Sequence, residues 1–402
     1  MKNHINNAYE NSKLKLYLAL KKKSPQFSSD ELDTAIKDLN VGRARDPAGL
    51  CAKISKSNVT GTDLKESLLD MLNMIKIEGH IPESMRKAII TTIQKPGYGS
   101  KFKLENLMQI FKLSILRSIL FRIIYNRSYK MIDGNMTDSN IGARKNKSCR
   151  NHIWIVNGIN HLHNGKLKHV RLVEQSFDYK QMFDSMSLDI TISDLYDIGL
   201  NDDTLVLLNE ANTNISMSVN TPFGKTEKVN LEKIVAQGDL MAPLEAAVQV
   251  DSIARALEEE DEVREVEGRP GLLYRYMDTV PIPILSLMDD CYVISENGFK
   301  AEIINTFMNA QSAAKGLQFN PTKCKTLKVG ASSETEMTNS LQVDSWDISY
   351  NIDDNLIETE GKKIDMLEKN EIKYLGFVIS GEAKNLKIIQ LEETKEVTHR
   401  ET

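Results

Sequence analysis

Phe177-Asp178-Tyr179-Lys180-Gln181-Met182-Phe183-Asp184 starts where a short run, residues 170–177, with Val170, Leu172, Val173 and Phe177 as its apolar residues, gives out. The run reads as a short strand, and residues 183–195 return to helical spacing, so Asp178 sits at a strand end. A second carboxylate pair, Asp289-Asp290, lies between two apolar runs, 282–287 and 291–295, in a strand–turn–strand pattern. A third cluster, Gln237-Gly238-Asp239, precedes a helix that Pro243 opens and that continues through residue 257. Carboxylates from the ends of different strands can converge on a hard divalent cation. Mg²⁺ takes few protein carboxylates and keeps phosphate oxygens and water as its other ligands. Taken singly, each cluster also has a plain structural reading, Asp-Asp as turn chemistry and Asp178 as a helix cap.

Outward from these clusters, Ser28 and Glu31 have the spacing of a capping box. Leu64, Leu68, Met71, Leu72 and Ile75 predict a helix, and residues 88–93 a strand. Residues 110–131 read as one long helix, with Leu113, Leu116, Leu120, Ile124 and Tyr125 inward and Lys112, Arg117, Arg122, Arg127 and Lys130 on a polar face. A helix is expected over 153–162, a hairpin over 215–231, a helix over 299–314 and a strand over 324–329. The acidic run 258–262 is expected after the helix begun at Pro243, and residues 331–340 form a polar linker. Helices come first, then strands with helices between them, which predicts an α+β fold.

The 402 residues are 41% hydrophobic, enough to bury a core, and contain no apolar run of about 18 residues that would span a membrane. No secretory signal opens the chain, and the four dispersed cysteines exclude a disulfide scaffold, so an intracellular protein, cytoplasmic or nuclear, is expected. The net charge of −5 hides an asymmetry. Residues 95–150 carry twelve Lys/Arg against three Asp/Glu, whereas residues 331–402 carry eight against sixteen. Screening limits charge to a reach of about 8–10 Å, so the basic stretch can still meet a polyanion locally. His152, His161, His163 and His169 cluster, but without a Cys or Asp at ligand spacing they do not make a metal site.

The order of these blocks resembles the reverse transcriptase domain of non-LTR (LINE-like) retrotransposons, from about Ser24 to about Ser380. The segment 42–50 is similar to an altered form of that family's K-x-P-G-x-D-G-I block, and 177–186 to its F-x-D-x-x-K-A-F-D-S-V block. Residues 236–244 resemble x-Q-G-D-x-x-S-P-L, and Leu287-Met288-Asp289-Asp290 stands where the family has Y-A-D-D. Residues 316–323 resemble G-L-x-x-N-x-x-K, and Tyr374-Leu375-Gly376 resembles the later x-L-G block. The resemblance implies a right-hand polymerase with a fingers–palm core and an antiparallel palm sheet backed by helices. Asp178 and Asp289, helped by the carbonyl of Tyr179, would hold two Mg²⁺ ions (or Mn²⁺), with Asp290 beside them. Phe183 would screen the sugar, its ring leaving no room for a 2′-hydroxyl. Gln237 and Gly238 would position template and incoming base, and Lys323 would serve the pyrophosphate leaving group. Tyr374, Leu375 and Gly376 would form the primer grip, and Arg144, Lys145, Lys147 and Arg150 would contact template phosphates. The implied partners are an RNA template, a DNA primer and a dNTP.

Two departures stand out. Where the family carries Asn-x-Arg-x-Ile, this chain has Asn106-Leu107-Met108-Gln109-Ile110. Met108 cannot donate the charged hydrogen bond of the Arg, a loss of about 1.5–3 kcal/mol, roughly ten- to a hundredfold in triphosphate use, unless Lys101, Lys103 or Lys112 compensates. Only about two dozen residues follow Gly376, so the thumb is expected to be truncated, as in a shortened copy. The expected organisation is a polar lead-in (1–23), fingers with the first part of the palm (24–177), palm (178–330), and an acidic linker, hairpin and C-terminal remnant (331–402). The expected activity is RNA-directed DNA synthesis. The alternatives are an inactive nucleic-acid-binding remnant of such a domain and, further off, a protein scaffold built on the acidic C-terminal stretch.

Overall fold

A computed structural model describes residues 24–40, 45–50, 62–94, 106–164, 172–200, 203–221, 223–276, 280–329, 342–345, 348–350, 356–358, 362–369, 371–375 and 377–380. The stretches 42–44 and 95–105, with Lys101 and Lys103, and His169 and Gly376, lie outside them. The chain divides into two units. One comprises residues 1–136 and 186–249, the other residues 137–185 and 250–402.

In the first unit, α1 (Ser29–Lys37) opens with the capping box: Ser28 Oγ accepts from Glu31 N and Glu31 returns to Ser28 N. Helix α2 (Thr62–Glu78) and strands β1 (Lys87–Gln94) and β2 (Leu107–Leu113) follow, then α3 (Ile115–Asn135). The single long helix expected over 110–131 is therefore corrected. Residues 107–113 are a strand paired antiparallel with β1, Ile90 opposite Phe111. Ser114 breaks the element with extended ψ, and Asp46 Oδ2 accepts from Ile115 N at 3.1 Å, so the helix starts there. Ile110 and Phe111 fit a half-buried pleat as well as a helix face, and only the distant partner decides between them.

Helices α4 (Cys149–Asn164) and α5 (Met182–Ser185), with β3 (Leu172–Asp178) between them, belong to the second unit; α6 (Leu188–Asp197), α7 (Asp203–Ala211), β4 (Thr213–Thr221), β5 (Gly224–Lys225) and β6 (Val229–Lys233) belong to the first. The helix expected over 183–195 is two, interrupted at Met186-Ser187. The first unit's sheet runs β2-β1-β4-β5, with β6 also on β4 and β1–β4 parallel. Its core includes Ala88, Ile90, Phe111, Ile215 and Ala236. The following helix, α8 (Ala242–Val266), extends through 258–262, so the acidic run is helical rather than a tail to it.

The second unit also holds β7 (Tyr274–Tyr276), β8 (Val280–Ile282), β9 (Leu285–Leu287), β10 (Asp290–Ser295), α9 (Gly298–Ala314) and β11 (Lys325–Val329). Seven further short strands, β12 (Gln342–Ser345), β13 (Ile348–Tyr350), β14 (Leu356–Glu358), β15 (Lys362–Asp365), β16 (Leu367–Lys369), β17 (Glu371–Tyr374) and β18 (Phe377–Ser380), complete it. Its sheet order is β16-β11-β3-β10-β9, antiparallel except for β11 with β16. All seven residues of the central strand β3 are buried, Glu174, Gln175, Ser176 and Asp178 among them, so its polar side chains must be satisfied inside the unit. Helix α9 packs on β3 and β10, and α4 contributes Ile153, Val156 and Ile159 to a core shared with Leu172, Tyr292, Ile294 and Tyr374. Helices with antiparallel-rich sheets make this an α+β fold.

Candidate active site

The end of β3 carries Asp178, and antiparallel pairing sets it directly opposite Asp290, so both carboxylates stand on one face of the sheet. Leu287 pairs with Asp290, which leaves Met288-Asp289 as a two-residue turn. Met288 takes φ +54°, the left-handed backbone that such hairpin turns demand. Tyr179 N donates to Asp289 O at 3.2 Å, tying the turn to the residue after Asp178. The pairing of β3 also continues past the strand on its other side. Lys180 N donates to Gln318 O at 2.8 Å and Asn320 N to Asp178 O at 2.7 Å. The turn after Asn320 then delivers Lys323, whose Nζ lies 2.9 Å from Asp178 Oδ2. Two distant segments, 287–290 and 318–323, thus close on the end of β3 from either side.

The electrostatics follow from burial. Asp178 is 9% exposed, and burial raises its carboxyl above the usual range, with Lys323 drawing it back and Asp289 pushing it further up. Asp290 is raised to about 6, by burial first and then by Asp289 and Asp178. One atom remains unaccounted for: Asp178 Oδ1 is buried and has no hydrogen-bond partner. A buried carboxylate oxygen without a donor is costly unless something positive completes it. Among the described residues no group of three or more His, Cys, Asp or Glu forms a ready-made cation cage. Mg²⁺ fits such a site nonetheless, because it binds through one or two carboxylates and takes the rest of its shell from substrate phosphates and water.

Other expected site residues fall in several places. Phe183 lies half-buried on α5, five residues beyond Asp178. Arg144 donates to the carbonyls of Thr137 and Asn140, the latter at 2.9 Å, and Lys147 pairs with Asp138 at 2.9 Å. Lys145 and Arg150 are exposed. The start of this basic loop is stitched to β9, Ile141 N donating to Ser286 O at 3.0 Å and Ser286 N to Ser139 O at 3.1 Å. It therefore runs beside the strand that leads into Asp289. Tyr374 and Leu375 form the turn side of the β17–β18 hairpin; the Tyr374 ring packs on Tyr292 at 4.6 Å and its hydroxyl donates to Leu285 O at 3.1 Å.

Gln237 and Gly238 belong to the first unit. Gln237 O accepts from Phe111 N at 3.0 Å. Gly238 has φ +111°, and an added Cβ would meet Phe111 O at 2.9 Å, so the residue next to β2 must be glycine. Met108 stands on β2 opposite Ile93.

Several determinants escaped the sequence. Arg117, expected on a polar face, is 1% exposed: its Nε donates to Asp239 Oδ2 at 2.9 Å and its NH2 to Asn212 Oδ1 at 2.7 Å, and the carbonyl of Ala211 completes the shell. Glu245, wholly buried nearby, is pushed up to about 8 by burial and by Asp239. Arg127 is spent on Glu31, 2.6 Å away, and on the carbonyls of Pro25 and Gln26. In the second unit, buried Glu174 accepts from Tyr292 Oη at 2.5 Å and Asn160 Nδ2 at 3.3 Å, and burial raises it to about 7. His152 and His163 are buried against Tyr374 and Tyr274, at 3.1 and 3.0 Å, whereas His161, two residues from His163 and so on another helix face, is exposed. Asn320 carried a signal, the Asn-Pro break, but nothing in the sequence linked it to Asp178.

The sequence profile of one family, reverse transcriptase (RNA-dependent DNA polymerase), matches residues 103–379. The chain belongs to this family. The match covers both carboxylate segments, the Gln237-Gly238 block and Lys323, while residues 24–102 lie outside it. Among solved structures, an apo telomerase from Candida tropicalis, truncated from its C-terminal domain, is similar at 11% identity with a TM-score of 0.47. The similarity covers 81% of this reverse transcriptase chain and 60% of that chain. No helix among the described residues is long and apolar enough to cross a membrane.

Proposed function

We propose that this chain catalyses RNA-directed DNA synthesis, as the polymerase domain of a non-LTR type of retrotransposon. The observation that carries the reading is that Asp178, Asp289 and Asp290 lie at one sheet end, where the Oδ1 of Asp178 is buried and unpartnered. Asp178 and Asp289, with the Tyr179 carbonyl, are the groups that would hold two divalent cations. When bound, such a pair stabilises the attacking and leaving oxygens of a phosphoryl transfer.

The rest of the work falls to the chain itself. The primer 3′-hydroxyl gives up its proton to water and its oxygen bonds to the α-phosphorus of a dNTP as the bond from that phosphorus to the bridging oxygen breaks, and pyrophosphate departs. Lys323, held by Asp178 Oδ2, offers a cation and a proton to the leaving pyrophosphate. The Phe183 ring excludes a ribose 2′-hydroxyl. Arg144, Lys145, Lys147 and Arg150 meet template phosphates and add affinity without reading sequence. The Tyr374-Leu375-Gly376 segment supports the primer.

Extension of a DNA primer on an RNA template with dNTPs, with and without Mg²⁺, tests this reading. Cation-dependent growth of the primer is the expected result. Met108 favours a second reading, a domain that binds nucleic acid without extending it, because no guanidinium stands at that position to meet the triphosphate. Tight duplex binding with no extension at any dNTP concentration would select that reading.

A further inference from the structure

We infer that the outward face of α4 is a stacking platform for the unpaired RNA template strand, with Trp154 as its central contact. This rests on the proposed template-directed activity and names a surface for one of its partners. Trp154 is 79% exposed, an unusual position for the largest apolar ring. A single exposed aromatic needs no explanation by itself; here its neighbours supply one. Arg150, Trp154, Gly158 and His161 recur at helical spacing and are all exposed, while the opposite face, including Ile153, Val156 and Ile159, is buried. A Cβ at Gly158 would meet nothing within 4 Å, so the surface beside the indole is open. The stripe from Arg150 to His161 runs about 16 Å along the helix, the span of roughly four or five stacked nucleotides.

Charge selects the occupant. From residue 139 to residue 173 there is no Asp or Glu, against seven Lys/Arg. No carboxylate on this helix repels a polyanion, and the basic loop leading into it is hydrogen-bonded along β9, next to the Asp289 turn. An indole stacks on any base, and cations beside it pair with phosphate, the combination by which single strands are held without sequence preference. A protein partner or a second copy of this chain would not need a face free of acid.

The chain has two tryptophans, so Trp346→Phe leaves Trp154 as the only indole. In that background, with Asp289→Asn added so that catalysis plays no part, fluorescein-labelled oligo(A) RNA of about 12 nucleotides is titrated. Anisotropy follows binding and tryptophan emission follows stacking. The expected result is quenching that tracks binding, with Trp154→Ala weakening affinity about tenfold and Trp154→Phe much less. RNA binding with unchanged emission, unchanged affinity in Trp154→Ala, equal quenching by blunt duplex RNA, or quenching that instead follows self-association of the protein would each overturn the inference. If extension fails but quenching holds, the catalytic reading falls and this one stands.

Discussion

Replacing Arg117 by Met tests how the Gln237-Gly238-Asp239 segment is held. The guanidinium is 1% exposed and meets Asp239 Oδ2, Asn212 Oδ1 and the Ala211 carbonyl. Met keeps much of the volume and removes every one of these donors. Asp239, its side chain 6% exposed, then stands buried without a cation beside Glu245, which burial already keeps protonated to about pH 8. Breaking a buried pair in this way costs about 3–5 kcal/mol. For a unit of about 200 residues that is a fall in melting temperature of roughly 6–20 °C. Arg117→Met/Asp239→Leu removes both charges and is expected to recover most of the loss. Circular dichroism melting of the wild type, the single and the double variant measures both effects. A single variant melting within about 2 °C of wild type, or a double variant no better than the single, would refute the reasoning.

Three further outcomes follow from the second unit. Between about pH 6 and 8 in urea unfolding, Glu174→Gln should lose less stability than the wild type, whose Glu174 is raised to about 7 and costs stability as pH rises through that value, while Asp290 and Glu245 titrate in both; identical profiles would exclude Glu174 as a cause. Lys323→Ala should slow extension by about a hundredfold or more with little change in duplex binding, since its side chain is 48% exposed and its contact is Asp178; an unchanged rate would remove it from the reaction. Phe183→Val should raise rNTP use relative to dNTP by about tenfold or more in competition assays, with little effect on melting because the ring is only half-buried; unaltered selectivity would make Phe183 a packing residue.

The parts of this fold that were legible are those whose signal is local. The Ser28 capping box needs four residues, and the Asp289 hairpin needs two apolar runs and a turn. Asp178 was legible from its own block, Phe177 to Asp184, and not from the polar-rich strand before it. What was not legible depends on partners far along the chain. Residues 107–113 are apolar in both periods, and β1 makes them a strand while Asp46, 69 residues away, starts the next helix. Arg117 looked like a surface residue because its partner, Asp239, lies 122 positions on. Asn320 closes on Asp178 through backbone groups, which leave no mark on side-chain pattern. His152 and His163 are core groups because Tyr374 and Tyr274 arrive from distant strands. The blocks themselves were readable in order, and their order pointed to the reverse transcriptase family before any contact was known.

The central claim is that Asp178 and Asp289 make one nucleotidyl-transfer centre. Single-turnover extension of a DNA primer on an RNA template, with Mg²⁺ and dNTPs, measured for the wild type beside Asp178→Asn and Asp289→Asn, tests it most directly. Asn preserves shape and removes the charge a cation needs. The account predicts extension by the wild type and a loss of at least about a thousandfold in each variant, with melting and RNA binding retained. Extension at wild-type rate in either variant, or none in a wild type that still binds the duplex, would contradict it.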